Sequence, residues 1–299
     1  MNRKGHRSGF VTIAGRPNVG KSTLLNRLVG RKVAIVSDKP QTTRHRIQSV
    51  LTLPGAQVIF LDTPGIHKPR HQLGEYMVKV ALSTLRGVDL ILFLVEAHAP
   101  FGPGDRFILE RLKEAETPVI LCINKIDLVP KESLLPLIDE LRQKHAFAAI
   151  VPFSARTGEN TGRLLDEVVA HLPPGPQYYP AGTVTDQPEQ LLVAEIIREK
   201  IWQLTREELP YGVAVAIEEM VPRSAGLLYV RAAIYVEKES QKGILVGKHG
   251  RMLKQIGQLA REEIEALLSR RVYLELWVKV KQDWRQKENF LRQFGYRPD

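Results

Sequence analysis

The chain has 299 residues, 43% hydrophobic and 25% charged, with a formal net charge of +10. That length allows two domains that each bury a core, and the positive charge favours an anionic partner, nucleic acid or anionic lipid. A single cysteine excludes an intrachain disulfide framework, and with no apolar run long enough to span a bilayer and no signal-peptide pattern behind the basic start, the expected compartment is the cytoplasm.

Residues 10–14 form an apolar run that leads into Gly15-Arg16-Pro17-Asn18-Val19-Gly20-Lys21-Ser22, followed by a helix-like stretch over 23–29 that Gly30 can end. G-x-x-x-x-G-K-S between a strand and a helix predicts a phosphate-binding loop. Its backbone N–H groups and the helix N-terminus cradle a phosphate chain. Lys21 can reach the β- and γ-phosphates, and the Ser22 hydroxyl can face Mg²⁺. The next apolar run, 58–61, ends in Asp62-Thr63-Pro64-Gly65. A carboxylate at a strand end suits the Mg²⁺ shell directly or through water, and the Gly65 N–H can meet a γ-phosphate.

Residues 90–95 and 119–123 read as further strands, the latter containing Cys122 as a packed, inert thiol. Asn124-Lys125-Ile126-Asp127 closes that strand. A carboxylate there can accept from both the ring N1–H and the exocyclic amine of guanine, a donor pair adenine lacks, so GTP is expected over ATP. Residues 148–153 form the next run and lead into Ser154-Ala155-Arg156, where a backbone N–H can contact the guanine O6. Helical spacing covers 77–85, 107–112, 134–141 and 164–172. Apolar strands alternating with helices predict an α/β fold: a mostly parallel sheet covered on both faces.

Pro173-Pro174-Gly175-Pro176 opens a proline-rich stretch read as a semi-rigid linker over 175–190, between a first domain at 8–174 and a second at 191–283. The second half shows helical spacing at 191–204, strand alternation at 212–217 and 227–236, an amphipathic helix at 251–268 and a last strand at 272–280. A helix-like apolar entry from Gly243 meets the loop Gly247-Lys248-His249-Gly250, which leads into a second helix, with Arg251 and Lys254 beside it. From Gln241 on, thirteen cations face seven carboxylates, so +6 of the chain's +10 sits in the last 59 residues. In the tail, 284–299, Trp284, Phe290, Phe294 and Tyr296 alternate with Arg and Lys. They can stack on bases or pack back on the domain.

The four N-terminal motifs together resemble the G1, G3, G4 and G5 motifs of translation-factor-type GTPases, and the first half resembles a Ras-like P-loop G domain. Pro40-Gln41-Thr42-Thr43-Arg44 looks like switch I of the branch containing the Era, MnmE and Der families. This resemblance implies GTP or GDP and Mg²⁺ as ligands, held by Gly15 to Thr23, by Asp62, Thr63, Pro64, Gly65 and Ile66, by Asn124, Lys125 and Asp127, and by Ser154, Ala155 and Arg156. It implies Ser22, Asp62 and a switch I threonine, Thr43 or Thr42, as Mg²⁺ ligands, and Lys21, Thr43 and Gly65 as the catalytic positions. Ile66 stands where Ras-type proteins carry a water-orienting glutamine, so intrinsic hydrolysis is expected to be slow. Asn18 stands where some relatives of the branch bind K⁺; a plain turn residue is the alternative. His67 and His71 are expected to be exposed loop residues.

The G-x-x-G loop in an α-β-β-α-β order resembles a type II KH domain, whose loop clamps about four nucleotides. Gly247, Lys248, His249, Gly250, Arg251 and Lys254 are then the expected RNA contacts. A G domain followed by such a domain over nearly the whole chain resembles the bacterial Era family. That resemblance implies binding near the 3′ end of 16S ribosomal RNA, assembly of the small (30S) subunit, and peripheral association with the inner membrane. The rival expectations are an RNA-binding module that GTP only stabilises, and a membrane-surface GTPase.

Overall fold

A computed structural model describes residues 5–36, 42–66, 69, 71–207, 209–223 and 226–296. The chain divides into an N-terminal unit extending to Asp186 and a C-terminal unit from Gln187.

The N-terminal unit contains β1 (Arg7–Gly15), α1 (Lys21–Val29), β2 (Ile47–Leu53), β3 (Ala56–Asp62), α2 (Gln72–Ser83), β4 (Leu90–Glu96), α3 (Pro103–Lys113), β5 (Val119–Asn124), α4 (Leu134–Arg142), β6 (Ala149–Pro152) and α5 (Thr161–His171). The sheet order is β2-β3-β1-β4-β5-β6. β2 runs antiparallel to β3, and the other pairings are parallel. Alternation along the strands divides the core. Leu90, Leu92 and Leu94 pack with Leu24, Leu25, Leu164 and Val168, while Ile91, Phe93 and Val95 pack with Ala81, Ile108, Leu112 and Leu141. Each run is therefore apolar at nearly every position because helices cover both faces. Cys122 is fully buried, and burial pushes its thiol up, out of reach of thiolate chemistry.

β2 is absent from the sequence expectation. Ile47-Gln48-Ser49-Val50-Leu51-Thr52-Leu53 interleaves polar residues and sits at the sheet's edge, so it lacks the unbroken apolar run of its neighbours. The proline-rich stretch also differs from a bare spacer up to Asp186. Gly175 N–H donates to His6 O (3.1 Å) and Val50 N–H donates to Val184 O (2.8 Å). The Thr185 hydroxyl donates to Gln48 O (2.7 Å) and the Tyr179 N–H to Gln57 Oε1 (2.9 Å). An edge strand presents unpaired backbone groups, and this segment satisfies some of those of β2.

The C-terminal unit contains α6 (Glu189–Leu204), β7 (Ala214–Pro222), β8 (Leu227–Val236), α7 (Glu239–Val246), α8 (Arg251–Leu268), β9 (Arg271–Val280) and α9 (Glu288–Gln293). Its sheet, β7-β8-β9, pairs β7 antiparallel and β9 parallel to β8. Val193, Ile197 and Ile201 of α6 and Ile256, Ala260 and Ile264 of α8 pack on Val230, Ala232 and Ile234 of β8.

Of the two readings of the tail aromatics, packing is what the structure contains for three of the four. Trp284 is fully buried and its Nε1–H donates to Gly212 O at 2.9 Å. Tyr296 stacks on it, with 6.0 Å between centroids, and Phe294 meets both Trp284 and Tyr235. Phe290 stays partly exposed beneath the Lys281 and Lys287 ammonium groups. Trp284→Ala should lower the stability of this unit by about 3–5 kcal/mol. Calorimetry of the full chain should register this as a downshift of one transition, with that of the N-terminal unit unmoved.

Candidate functional site

Parallel pairing brings the C-terminal ends of β1, β3, β5 and β6 to one rim of the sheet, where ligands bind in α/β folds. A cleft of about 410 Å³ opens there. It is lined by Pro17, Asn18, Gly20, Lys21, Ser22, Thr23, Thr42, Thr43, Gly65, Asn124, Lys125, Asp127, Ala155 and Arg156, all expected from sequence, and by Ile35, Val36 and Leu128, which were not. Gly15, Arg16, Val19, Asp62, Thr63, Pro64, Ile66 and Ser154 are not among the lining residues. Pro40, Gln41 and His67 lie outside the described residues, and His71 is half-buried.

The loops at the rim are braced against one another. Asn124 Nδ2 donates to Val19 O at 2.7 Å, and its Oδ1 accepts from the Ala155 N–H at 2.9 Å. One side chain thus ties the first loop to the last. Gly20 has φ 99°, and a Cβ there would lie 2.2 Å from Asn124 Nδ2. Asp127 accepts from the Ser154 hydroxyl at 2.6 Å and pairs with Arg156 at 2.9 Å. The Ser154 hydrogen bond, more than Arg156, holds its carboxyl below the usual carboxylate range. It is therefore ionised and suited to accept from two guanine N–H groups.

Two carboxylates that sequence reasoning missed complete this framework. Glu96 pairs with Lys125, and with Arg16 at 3.6 Å; Arg16 Nε also donates to Asp105 at 2.7 Å. Arg16 is thereby held behind the loop. The available signal was the position of Glu96: it closes an apolar run and is the strand partner of Asn124.

Around Asp62 the cleft gathers hard oxygen donors. The Ser22 hydroxyl donates to Asp62 Oδ2 at 2.8 Å and lies 3.0 Å from the Thr43 hydroxyl, which is 3.5 Å from the same carboxylate oxygen. Asp62 is fully buried, and its Oδ1 has no hydrogen-bond partner among the described residues. Burial raises its pKa, with the Lys21 charge and three hydrogen bonds opposing. An orphaned carboxylate oxygen beside two hydroxyls fits Mg²⁺, which takes oxygen ligands and one or two carboxylates. Lys21 Nζ donates to Arg16 O (2.8 Å) and Gly15 O (3.2 Å). Burial lowers its pKa to about 8, against the pull of Asp62.

Gly65 approaches the first loop so closely that a Cβ would lie 2.6 Å from Pro17 N. Ile66 donates its N–H to Gly15 O at 3.3 Å and buries its side chain among Ala81, Leu85 and Phe93. It faces the core, not the cleft. Thr63 likewise turns inward, its hydroxyl donating to Ile13 O at 3.1 Å.

In the C-terminal unit, Gly247, Lys248, His249 and Gly250 form the turn between α7 and α8, with His249 at φ 52°. A groove of about 450 Å³ runs beside it, lined by Gly250, Leu253, Lys254, Gly257, Gln258 and Arg261 of the turn and α8, and by Tyr273, Leu274 and Leu276 of β9. Lys248, His249, Arg251 and Lys254 are exposed. Arg261 was missed, although it follows Lys254 by seven residues and so shares its helix face. Gln258 and Tyr273 carry no motif of their own.

A family model described as a 50S ribosome-binding GTPase matches residues 10–125, and one described as a KH domain matches residues 208–285. The chain is 47% identical to Aquifex aeolicus Era, in a crystal structure of a single-residue variant bound to GDP·AlF4⁻, over 98% of this chain and 100% of that one, with a TM-score of 0.95. It is 46% identical to Era in a crystal structure with MgGDPNP and nucleotides 1506–1542 of 16S ribosomal RNA, again over 98% and 100%, with a TM-score of 0.95.

The lowered pKa of Lys21 predicts a pH dependence with a definite sign. The triphosphate prefers the ammonium form, which is already present well below about pH 8. Above that value, binding has to take up a proton, so GTP affinity should fall by up to about tenfold per pH unit. Titration calorimetry at about pH 9 in two buffers of different ionisation enthalpy should register uptake approaching one proton, against almost none at about pH 6.5.

Proposed function

This chain belongs to the Era family of GTPases, and on that premise we propose that it is a GTP-timed clamp on the 3′ end of 16S ribosomal RNA, acting in the cytoplasm during assembly of the 30S subunit. The observation that carries this reading is the convergence of the Ser22 and Thr43 hydroxyls on Oδ2 of the buried Asp62 carboxylate, whose other oxygen, Oδ1, has no hydrogen-bond partner among the described residues. It brings switch I and the strand end before Gly65 into contact with the phosphate loop, which is what a nucleotide-sensing switch requires.

A bound Mg²⁺ would supply positive charge against the negative charge of the phosphate groups. In our reading Ser22, Thr43 and Asp62 hold it, with Thr43 preferred over Thr42 because its hydroxyl lies nearest Ser22 and Asp62. Lys21, released from the Gly15 and Arg16 carbonyls, neutralises the phosphate chain, and the Gly65 N–H reports the γ-phosphate. Asp127 would read the guanine edge, and Lys125 and Leu128 line the cleft beside it. With Ile66 buried, no side chain at that position orients the attacking water, so catalysis rests on positioning and electrostatics and is slow. Asn18, on the cleft wall, is our candidate for a K⁺ site. Turnover in KCl should exceed turnover in NaCl at equal ionic strength, and equal rates would remove that role.

The route from switch to RNA is the linker. β2 follows switch I directly and carries the Val50–Val184 and Gln48–Thr185 hydrogen bonds, so a shift of switch I is felt first by the segment entering the C-terminal unit. RNA affinity should therefore differ between the GDP and non-hydrolysable GTP states by about 5–150-fold, the usual range of such coupling. Replacing Thr185 by Val and Asp186 by Ala should move that ratio toward one while each ligand still binds. Equal RNA affinities in the unaltered protein would favour an RNA-binding module that GTP merely stabilises. Among the described residues no helix is long and apolar enough to cross a membrane. Peripheral contact with the inner membrane would use the basic surface instead. Vesicle binding that survives replacement of Lys248 and His249 by Asp, with RNA binding lost, would separate the two.

A further inference from the structure

Asn26 lies inside the nine-residue helix α1, a position that does not suit it. Its short polar side chain competes for backbone groups and so favours caps and turns over helix interiors. Here the side chain finds its partners outside the helix. Oδ1 accepts from the Val33 and Ala34 N–H groups, each at 2.9 Å, and Nδ2 donates to Ala34 O at 2.7 Å. One carboxamide thus satisfies both backbone polar groups of Ala34, as a neighbouring strand would. Residues 31–36 belong to no helix or strand, so these bonds stand in for a ladder. Gly30, at φ 72°, ends α1 and turns the chain back to meet them.

The anchored segment has two sides. Val33 and Ala34 pack into the core with Leu24, Leu25 and Leu28. Ile35 and Val36 line the nucleotide cleft. Asn26 follows Ser22 by four residues, so the two share a helix face about 6 Å apart along the axis. Ser22 lies 3.0 Å from the Thr43 hydroxyl. One face of one helix therefore holds the chain at Ala34 and again at Thr43. The two holds differ in chemistry. Ser22 and Thr43 meet beside the Asp62 carboxylate, where a cation and phosphates would change their partners. Asn26 bonds neutral backbone groups, and the strength of those bonds owes nothing to the charge of the nucleotide.

We propose that Asn26 is a positioning residue: it holds the Ile35–Val36 wall against a bound guanine nucleotide in the GDP and GTP states alike, and so slows release. The inference rests on reading this cleft as the nucleotide site.

The test follows release of tritiated GDP, and of a tritiated non-hydrolysable GTP analogue, from the full-length protein into excess unlabelled nucleotide. Asn26→Leu should accelerate release of both by about tenfold and leave the association rate unchanged. Single-turnover hydrolysis at saturating GTP should stay within about twofold of the unaltered protein. Thr43→Ala should accelerate release of the GTP analogue alone. Val36→Ala should accelerate release in the unaltered protein and add little to Asn26→Leu, because both act through one wall. Asn26→Asp keeps the acceptor and loses the donor toward Ala34 O. Its release rate should approach that of the unaltered protein as pH falls, since a protonated carboxyl regains a donor. Near-UV circular dichroism checks the fold, and Asn26→Asp carries the test where the leucine variant does not fold. Unchanged release from a folded Asn26 variant overturns the anchor, as does full additivity with Val36→Ala. Hydrolysis lowered as much as release is raised also overturns it, because the whole site has then been disturbed. Failure of the unaltered protein to bind GDP removes the nucleotide reading of the cleft itself.

Discussion

The N-terminal unit is organised by the burial of Asp62. A carboxylate with no exposure is costly unless it is paired and hydrogen-bonded. Its compensation comes from separate stretches of chain: the Ser22 and Thr43 hydroxyls and the charge of Lys21. A cation at Oδ1 would offset the cost of that burial directly, with the Ser22 and Thr43 hydroxyls close by. Its departure leaves an uncompensated oxygen that favours loosening the segment around Thr43. A switch fits this arrangement, because the carboxylate whose Oδ1 lacks a partner also holds, through Oδ2, the Ser22 and Thr43 hydroxyls.

The linker gives this local event a direction. An edge strand with open backbone groups is an aggregation hazard that proteins usually blunt with charge, proline or a covering segment. Here the covering segment is the chain's own exit from the unit, pinned at Val184 and Thr185 and braced by Gln48 and Asp186. The strand that receives it, β2, connects directly to Thr43 on one side and, through its antiparallel pairing, to the strand ending at Asp62 on the other. In the reading proposed above, edge protection and signal transmission use the same few hydrogen bonds.

The parts legible in the sequence were those where chemistry restricts residue type at fixed spacing. G-x-x-x-x-G-K-S, D-x-x-G and N-K-x-D each declare themselves because a phosphate, a metal or a guanine edge admits few alternatives. β2 was hidden because an edge strand alternates polar residues and can pass for a loop. Glu96 and Asp105 were hidden because they act at a distance in sequence, on Lys125 and Arg16. Tail residues such as Trp284 were ambiguous because aromatic residues among cations suit both base stacking and a covered core. Only Gly212, 72 residues away and accepting its indole N–H, decides the matter.

Charge in the C-terminal region needs the same discrimination between sum and placement. Its excess of cations over carboxylates suggests a uniformly basic surface, but the cations divide into two groups. Lys279, Arg285 and Arg292 are each committed to a carboxylate, Glu218, Glu237 and Glu288 respectively. Lys281 and Lys287 lie over Phe290. Among the described residues of this region Lys248, Arg251, Lys254, Arg261 and Arg271 make no ion pair; the first four sit on the turn or on α8, and Arg271 opens β9. Phosphate attraction is set by cations not already neutralised at close range. The usable field is therefore narrow and aligned with the groove, so it orients a single strand along α8 rather than drawing nucleic acid to the unit as a whole.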